Sequence, residues 1–270
     1  MTRDNLVEVP GGRVFTRRWD TAPSDLAPIL LMHDSLGCVD LWRDFPAALS
    51  DATGRPVIAY DRLGFGKSEP RNSRPSSDFI REEAAVIFPA LREQLNVDRF
   101  VLLGHSVGGA MALASAALHG DACEAVITEA AQTFVDPLTL TGIRAAREQF
   151  SNADEFERLK RWHGERARWV LDAWTGVWLS PEFASYSLDD LLPRIHCPVL
   201  AIHGDRDDYG TVEFPRHIAR RVSGPVQPAV LADCGHVPHR EKRAEVLTHI
   251  VDCLGRRADQ LRSSASATQS

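Results

Sequence analysis

Val101-Leu102-Leu103-Gly104-His105-Ser106-Val107-Gly108-Gly109 places a serine between two glycines, where an apolar run meets a run of small residues. The apolar half reads as a strand and the small-residue half, Gly108 to Leu118, as a helix. The serine then occupies a sharp strand-to-helix turn, a nucleophile elbow. Such a turn holds its central residue at strained backbone angles, and glycines at 104 and 108 let strand and helix approach closely enough to form it. In that setting the Ser106 hydroxyl stands clear of a sheet, ready to attack an acyl carbon.

On either side of this stretch, short apolar runs alternate with helical patterns. Pro28 to His33, Val57 to Tyr60 and Phe100 to Gly104 are continuous apolar runs, as suits strands covered on both faces. Helical periodicity appears around Leu41 to Ala52 and from Ser77 to Leu95, where Ile80, Ala84, Ile87 and Leu91 recur at helix spacing. Ala125 to Thr128, Val199 to His203 and Val226 to Leu231 read as later strands, and Arg240 to Leu254 as a closing helix. Val7 to Val9 and Arg13 to Trp19, joined by Pro10-Gly11-Gly12, form an opening hairpin. This order predicts an α/β fold: a mostly parallel central sheet flanked by helices.

Residues 135–190 break the rhythm. They read as mostly helical and carry Trp162, Trp169, Trp174 and Trp178, four of the six tryptophans. We expect an inserted helical cap there, with residues 1–134 and 191–255 forming the core domain. Val170, Ala173, Trp174, Val177 and Trp178 share one helix face and would bury themselves against the core whatever the function. Two of the four tryptophans are expected to line a substrate pocket; the candidates are Trp162, Trp174 and Trp178, together with Asp34. Residues 256–270, rich in Ser, Ala and Arg, are expected to be a flexible or frayed tail or an exposed terminal helix.

With 270 residues, 44% of them hydrophobic and 25% charged, the chain can bury a large core. A net charge of -6 with scattered arginines argues against nucleic acid as a partner. No basic stretch followed by an apolar one opens the chain, and no apolar run approaches the roughly 20 residues of a membrane helix. Five widely spaced cysteines suit reduced thiols. The expectation is a cytoplasmic protein that handles a small-molecule substrate without membrane or nucleic-acid partners; self-association as a homo-oligomer stays open. No His/Cys/Asp cluster has metal-ligand spacing, and Gly66-Lys67-Ser68 imitates only the end of a phosphate-binding loop, so neither metal nor cofactor is expected. Cys38 and Cys234 flank the elbow region without occupying an elbow.

A serine hydroxyl needs a base to take its proton and a third group to orient that base. His236 lies in a loop between the last strand and the last helix, with His239 as a competitor three positions on. Asp205, Asp207 and Asp208 follow the preceding strand. Both loops leave the carboxyl ends of strands, where open α/β sheets bind ligands, and the order serine, acid, histidine fits this turn. The Val107 N–H, opening the helix after Ser106, would face developing negative charge.

Together these stretches resemble the α/β-hydrolase family over nearly the whole chain. The elbow stands at 104–108, Tyr60-Asp61-Arg62-Leu63-Gly64-Phe65-Gly66-Lys67-Ser68 is similar to the family's Asp-x-x-Gly-x-Gly-x-Ser stretch, and Gly235-His236 falls near the end. The resemblance implies Ser106 as nucleophile, His236 as base and, three residues after Gly204, Asp207 as the acid. It assigns the second oxyanion donor to the Ser35 N–H in Met32-His33-Asp34-Ser35-Leu36-Gly37, where His33 supports the loop and Asp61 and Arg62 hold the glycine-rich turn.

Asp34 departs from the pattern, since a glycine usually follows that histidine. A carboxylate close to an oxyanion opposes catalysis unless paired, so we expect it to be neutralised by a cation such as Arg62 or turned out of the pocket. Serine at 106 argues against the haloalkane dehalogenase and epoxide hydrolase branches. The His-Asp-Ser-Leu-Gly loop is more similar to small-ester and enol-lactone hydrolases than to carbon–carbon bond hydrolases with Gly-Pro-Gly. The implied activity is hydrolysis of a carboxylic ester or lactone of a small, largely apolar substrate through an acyl-enzyme. The alternatives are carbon–carbon hydrolysis of ring-fission products and a low-turnover small-molecule receptor.

Overall fold

The computed structural model describes residues 2–71 and 73–267, with side chains described to Gly255. Eight strands form one sheet: β1 Thr2–Val9, β2 Gly12–Trp19, β3 Ile29–Met32, β4 Val57–Tyr60, β5 Phe100–His105, β6 Cys123–Glu129, β7 Val199–Gly204 and β8 Val226–Leu231. Their spatial order is β1-β2-β4-β3-β5-β6-β7-β8. The opening hairpin joins antiparallel, and every pair from β4 through β8 is parallel.

Successive residues of the central strands feed two separate cores. Leu30, Ile58, Leu102 and Ala201 face one side, while Leu31, Ala59, Leu103 and Ile202 face the other. This two-sided coverage is why those strands read as continuous apolar runs. On the first side lie α2 Phe79–Glu82, α3 Phe88–Gln94 and α4 Val107–Leu118; on the second, α1 Phe45–Thr53 and the closing helices α9 Pro238–Glu241 and α10 Arg243–Ala267.

The expected single helix from Ser77 to Leu95 is divided: a widened π turn, Glu83–Ile87, separates α2 from α3. Pro89 explains the irregularity, because it has no N–H to return to the turn before it. A break at Lys242 divides the closing helix, and its backbone stays helical to Ala267, into the stretch for which a frayed tail or a terminal helix is expected.

Between β6 and β7 the chain runs through α5 Pro137–Gln149, α6 Ala153–His163 and α7 Ala167–Trp178, before α8 Glu213–Arg221 follows β7. α7 turns Val170, Ala173, Val177 and Trp178 inward, the face that its apolar spacing predicts. A bridge between Phe134 and Ser187 ties the two ends of the helical segment together.

Candidate active site

Six strand ends, those of β3 to β8, deliver the site. Ser106 follows β5 with φ 56° and ψ -124°, strained angles for a residue with a side chain. The neighbouring glycines are needed for close approach: a Cβ on Gly104 would lie 2.1 Å from the Gly108 carbonyl oxygen, and one on Gly108 would lie 2.1 Å from that of Met32. The elbow expected from the sequence is therefore the local structure.

His236 Nε2 lies 3.1 Å from Ser106 Oγ, and His236 Nδ1 lies 2.8 and 2.9 Å from the two carboxylate oxygens of Asp207. With Nδ1–H donating to Asp207, Nε2 is free to accept the serine proton. Burial pushes the Asp207 carboxyl up, but the hydrogen bond from His236, the charges of His236 and His203, and the Tyr209 N–H hold it below its ordinary value. Asp207 is buried, whereas Asp205 and Asp208 are exposed turn residues. The competitor His239 is occupied elsewhere, donating Nδ1–H to Glu129 at 2.8 Å.

The loop after β3 brings Ser35 to a small cavity of about 20 Å³, lined also by Arg62, Phe65, Pro75, Phe79, Ala173, Trp174 and Trp178. Val107 N–H opens α4, where the first amides of a helix have no partner within it. A groove of about 680 Å³ on the outer sheet edge, between Arg3 and Leu95, shares no lining residue with this cavity.

Asp34 does not pair with the Arg62 side chain. Its Oδ2 faces His105 Nδ1 at 3.3 Å and its Oδ1 accepts the Leu36 N–H at 2.8 Å, while the Arg62 guanidinium donates to the Asp34 main-chain carbonyl at 2.8 Å. The side chain facing the Asp34 carboxylate is thus that of the residue beside the nucleophile, and Arg62 stacks 4.2 Å from the Phe65 ring centre instead. His33 donates Nδ1–H to the Asp34 carbonyl and accepts the Arg62 main-chain N–H, supporting the loop as expected of it. Asp61 holds the glycine-rich turn through the Lys67 and Val39 N–H groups.

Trp174 and Trp178 line the cavity; Trp162 does not. It stands 37% exposed, because Leu159 and His163 set the buried face of α6. Trp169 packs on Gly64, where a Cβ would lie 2.4 Å from its ring. The buried thiols of Cys38 and Cys234 are each pushed up to about 12, chiefly by desolvation, which leaves them protonated and poor nucleophiles.

Three further residues stand at the site without belonging to any of its sequence motifs. Gln132, three positions past β6, puts Oε1 3.3 Å from Ser106 Oγ. Glu241 accepts the Gly235 and Val237 N–H groups at 2.6 and 3.0 Å and so frames His236. His163 of α6 accepts the Gly66 N–H and donates to the Leu36 carbonyl, fastening the helical segment to both loops at the cavity. Gln132 alone could have been found, since it follows the carboxyl end of a strand.

Comparison with known proteins places this architecture. The pattern described as alpha/beta hydrolase fold matches residues 27–242. Over 108 residues the chain is 38% identical to the 1-acylglycerol-3-phosphate O-acyltransferase ABHD5 of Mus musculus, an alignment that covers 38% of this chain and only 29% of that protein. Among solved structures, a membrane phospholipase A superposes with a TM-score of 0.80 at 20% identity, covering 95% of this chain and 87% of that one. The enol-lactonase from Burkholderia xenovorans LB400 superposes with a TM-score of 0.73 at 20% identity, covering 93% and 100%. At such identities the structural likeness speaks for the fold alone.

Proposed function

The chain belongs to the alpha/beta hydrolase fold family, and on that premise we propose that it is a serine hydrolase of carboxylic esters or lactones. The observation that carries this reading is the hydrogen-bonded series Ser106–His236–Asp207 at the carboxyl edge of a parallel sheet.

Ser106 Oγ attacks the acyl carbon as its proton passes to His236 Nε2, and Asp207 stabilises the imidazolium that forms. The carbonyl oxygen becomes an oxyanion, met by the Val107 and Ser35 N–H groups, each worth about 3 kcal/mol to such a state. Collapse breaks the bond to the leaving oxygen, which takes the proton from His236. Water then repeats the sequence on the acyl-enzyme, releasing the acid and restoring the serine. Gln132 Oε1 competes with His236 for the hydroxyl proton in the resting site.

The enol-lactonase supports a small substrate by analogy of fold. Aromatic walls from Phe65, Phe79, Trp174 and Trp178 favour an apolar acyl group. A cavity of about 20 Å³ has room for about one water molecule, so an acyl group would occupy it only with a shift of the side chains that line it.

The test is p-nitrophenyl acetate turnover followed by a panel of esters, lactones and thioesters. A burst of nitrophenolate from the wild type, absent in Ser106→Ala, is the expected result. Tight ligand binding without Ser106-dependent turnover would replace the enzyme with a receptor.

A further inference from the structure

His105 joins three segments that the proposed mechanism needs in register. Its Nδ1 faces Asp34 Oδ2 at 3.3 Å, and its Nε2 donates to the main-chain carbonyl of His236 at 2.7 Å. The second Asp34 oxygen takes the Leu36 N–H. A continuous series of contacts therefore runs from the loop bearing Ser35, through the residue preceding Ser106, to the residue that presents the catalytic imidazole.

Both ring nitrogens of His105 face acceptors, because neither a carboxylate nor a carbonyl can donate. A neutral imidazole carries one N–H and would leave one of these contacts repulsive, whereas an imidazolium satisfies both. We propose that Asp34, half-buried, and His105, buried, form an ionic positioning pair that sets the oxyanion loop and the His236 loop at a fixed distance from the elbow. The proposal rests on the serine-hydrolase reading. It also accounts for an aspartate where a glycine is usual: its charge is spent on His105 and not on the oxyanion.

The surroundings favour the charged pair. Burial pulls His105 down, yet the bond and charge of Asp34, the Glu129 carboxylate and the His236 carbonyl raise it above its ordinary value. Burial likewise pushes Asp34 up, and His105, His33 and the Leu36 N–H bring it well below. His239 packs 5.1 Å from the His105 ring but is neutral, with its Nδ1–H given to Glu129. Arg62, His163, Tyr209 and Arg240 complete the titratable groups around Asp34.

The sign follows. With His105 raised and Asp34 lowered, the pair is lost as pH rises through the raised His105 value, which gives kcat an alkaline limb. His105→Asn keeps a donor toward Asp34 and His105→Gln keeps one toward His236, and neither amide titrates. Each should lower kcat by about tenfold to a hundredfold with KM changed less than about twofold, and should abolish the limb. Asp34→Asn should move the limb to lower pH and leave it present.

Nitrogen-15 NMR of the His105 ring in the ligand-free protein tests the pair without turnover. Two protonated nitrogens at pH 7, titrating at lower pH in Asp34→Asn, support it. A neutral His105 at pH 7, or variant pH profiles that superimpose on the wild type, would overturn it. Loss of Ser106-dependent turnover in the wild type would instead sink the hydrolase reading, while the ring titration still decides the pair.

Discussion

Glu129 at the end of β6 accepts both the main-chain N–H and the Nδ1–H of His239, at 2.9 and 2.8 Å. Two histidines three positions apart thus have separate tasks: His236 turns to Ser106, and His239 anchors the start of α9 in the second core. His239→Asn keeps a donor for Glu129 and should retain ester turnover within about tenfold, whereas His236→Ala should lose roughly 10⁴-fold or more in kcat. Steady-state kinetics of the two variants on one activated ester decides the assignment.

Glu241 acts on His236 through the backbone, holding the amides on both sides of it. Glu241→Ala frees both and should cut kcat by about tenfold with KM nearly unchanged; Glu241→Gln, which keeps one acceptor, should fall between. Equal kinetics for wild type and Glu241→Ala would remove it from the site.

Gln132 sits against the nucleophile, where a negative charge would oppose the developing oxyanion. At an effective dielectric of about 20 the penalty is on the order of 2–4 kcal/mol, so Gln132→Glu should lose roughly thirtyfold to a thousandfold in kcat/KM at pH 8. Activity should return as pH falls and the new carboxyl protonates. A flat profile would show that position 132 does not sense the transition state.

Two glycines in helices should respond oppositely to alanine. Gly108→Ala forces a Cβ to 2.1 Å from the Met32 oxygen and should cost about 3 kcal/mol or more, lowering the melting temperature by more than about 6 °C. Gly176 on α7 has open space around its Cβ position, and Gly176→Ala should add about 1 kcal/mol, or roughly 2–4 °C. Thermal melts of the pair test the close packing of the elbow against β3.

Asp207 titrates below the ordinary aspartate value of 3.8 in the folded protein. Its contribution to stability is therefore present above that value and is lost as pH falls through the lower folded one. Asp207→Asn should cost about 1–2 kcal/mol in urea unfolding at pH 7 and progressively less toward pH 3. A difference that widens on acidification would contradict the depressed carboxylate.

Much of this architecture was legible because it rests on local patterns. Strands buried on both faces are apolar throughout, and Gly104 and Gly108 mark a close approach that a side chain would block. The pairing of Asp34 with His105 was not legible: its partners lie 71 residues apart in sequence and meet only where β3 and β5 lie side by side. Arg62 looked the better cation from charge alone, yet its guanidinium is drawn to a carbonyl and to Phe65. Trp162 lies outside the cavity because α6 spends its apolar face on Leu159 and His163, which composition alone does not reveal.

The account depends most on a nucleophilic Ser106 activated by His236. Treatment with a fluorophosphonate, followed by peptide mass spectrometry, examines that directly. One phosphonyl group on Ser106 in the wild type, with labelling lost in His236→Ala, is the predicted result; an unlabelled Ser106, or a label on another residue, would contradict it.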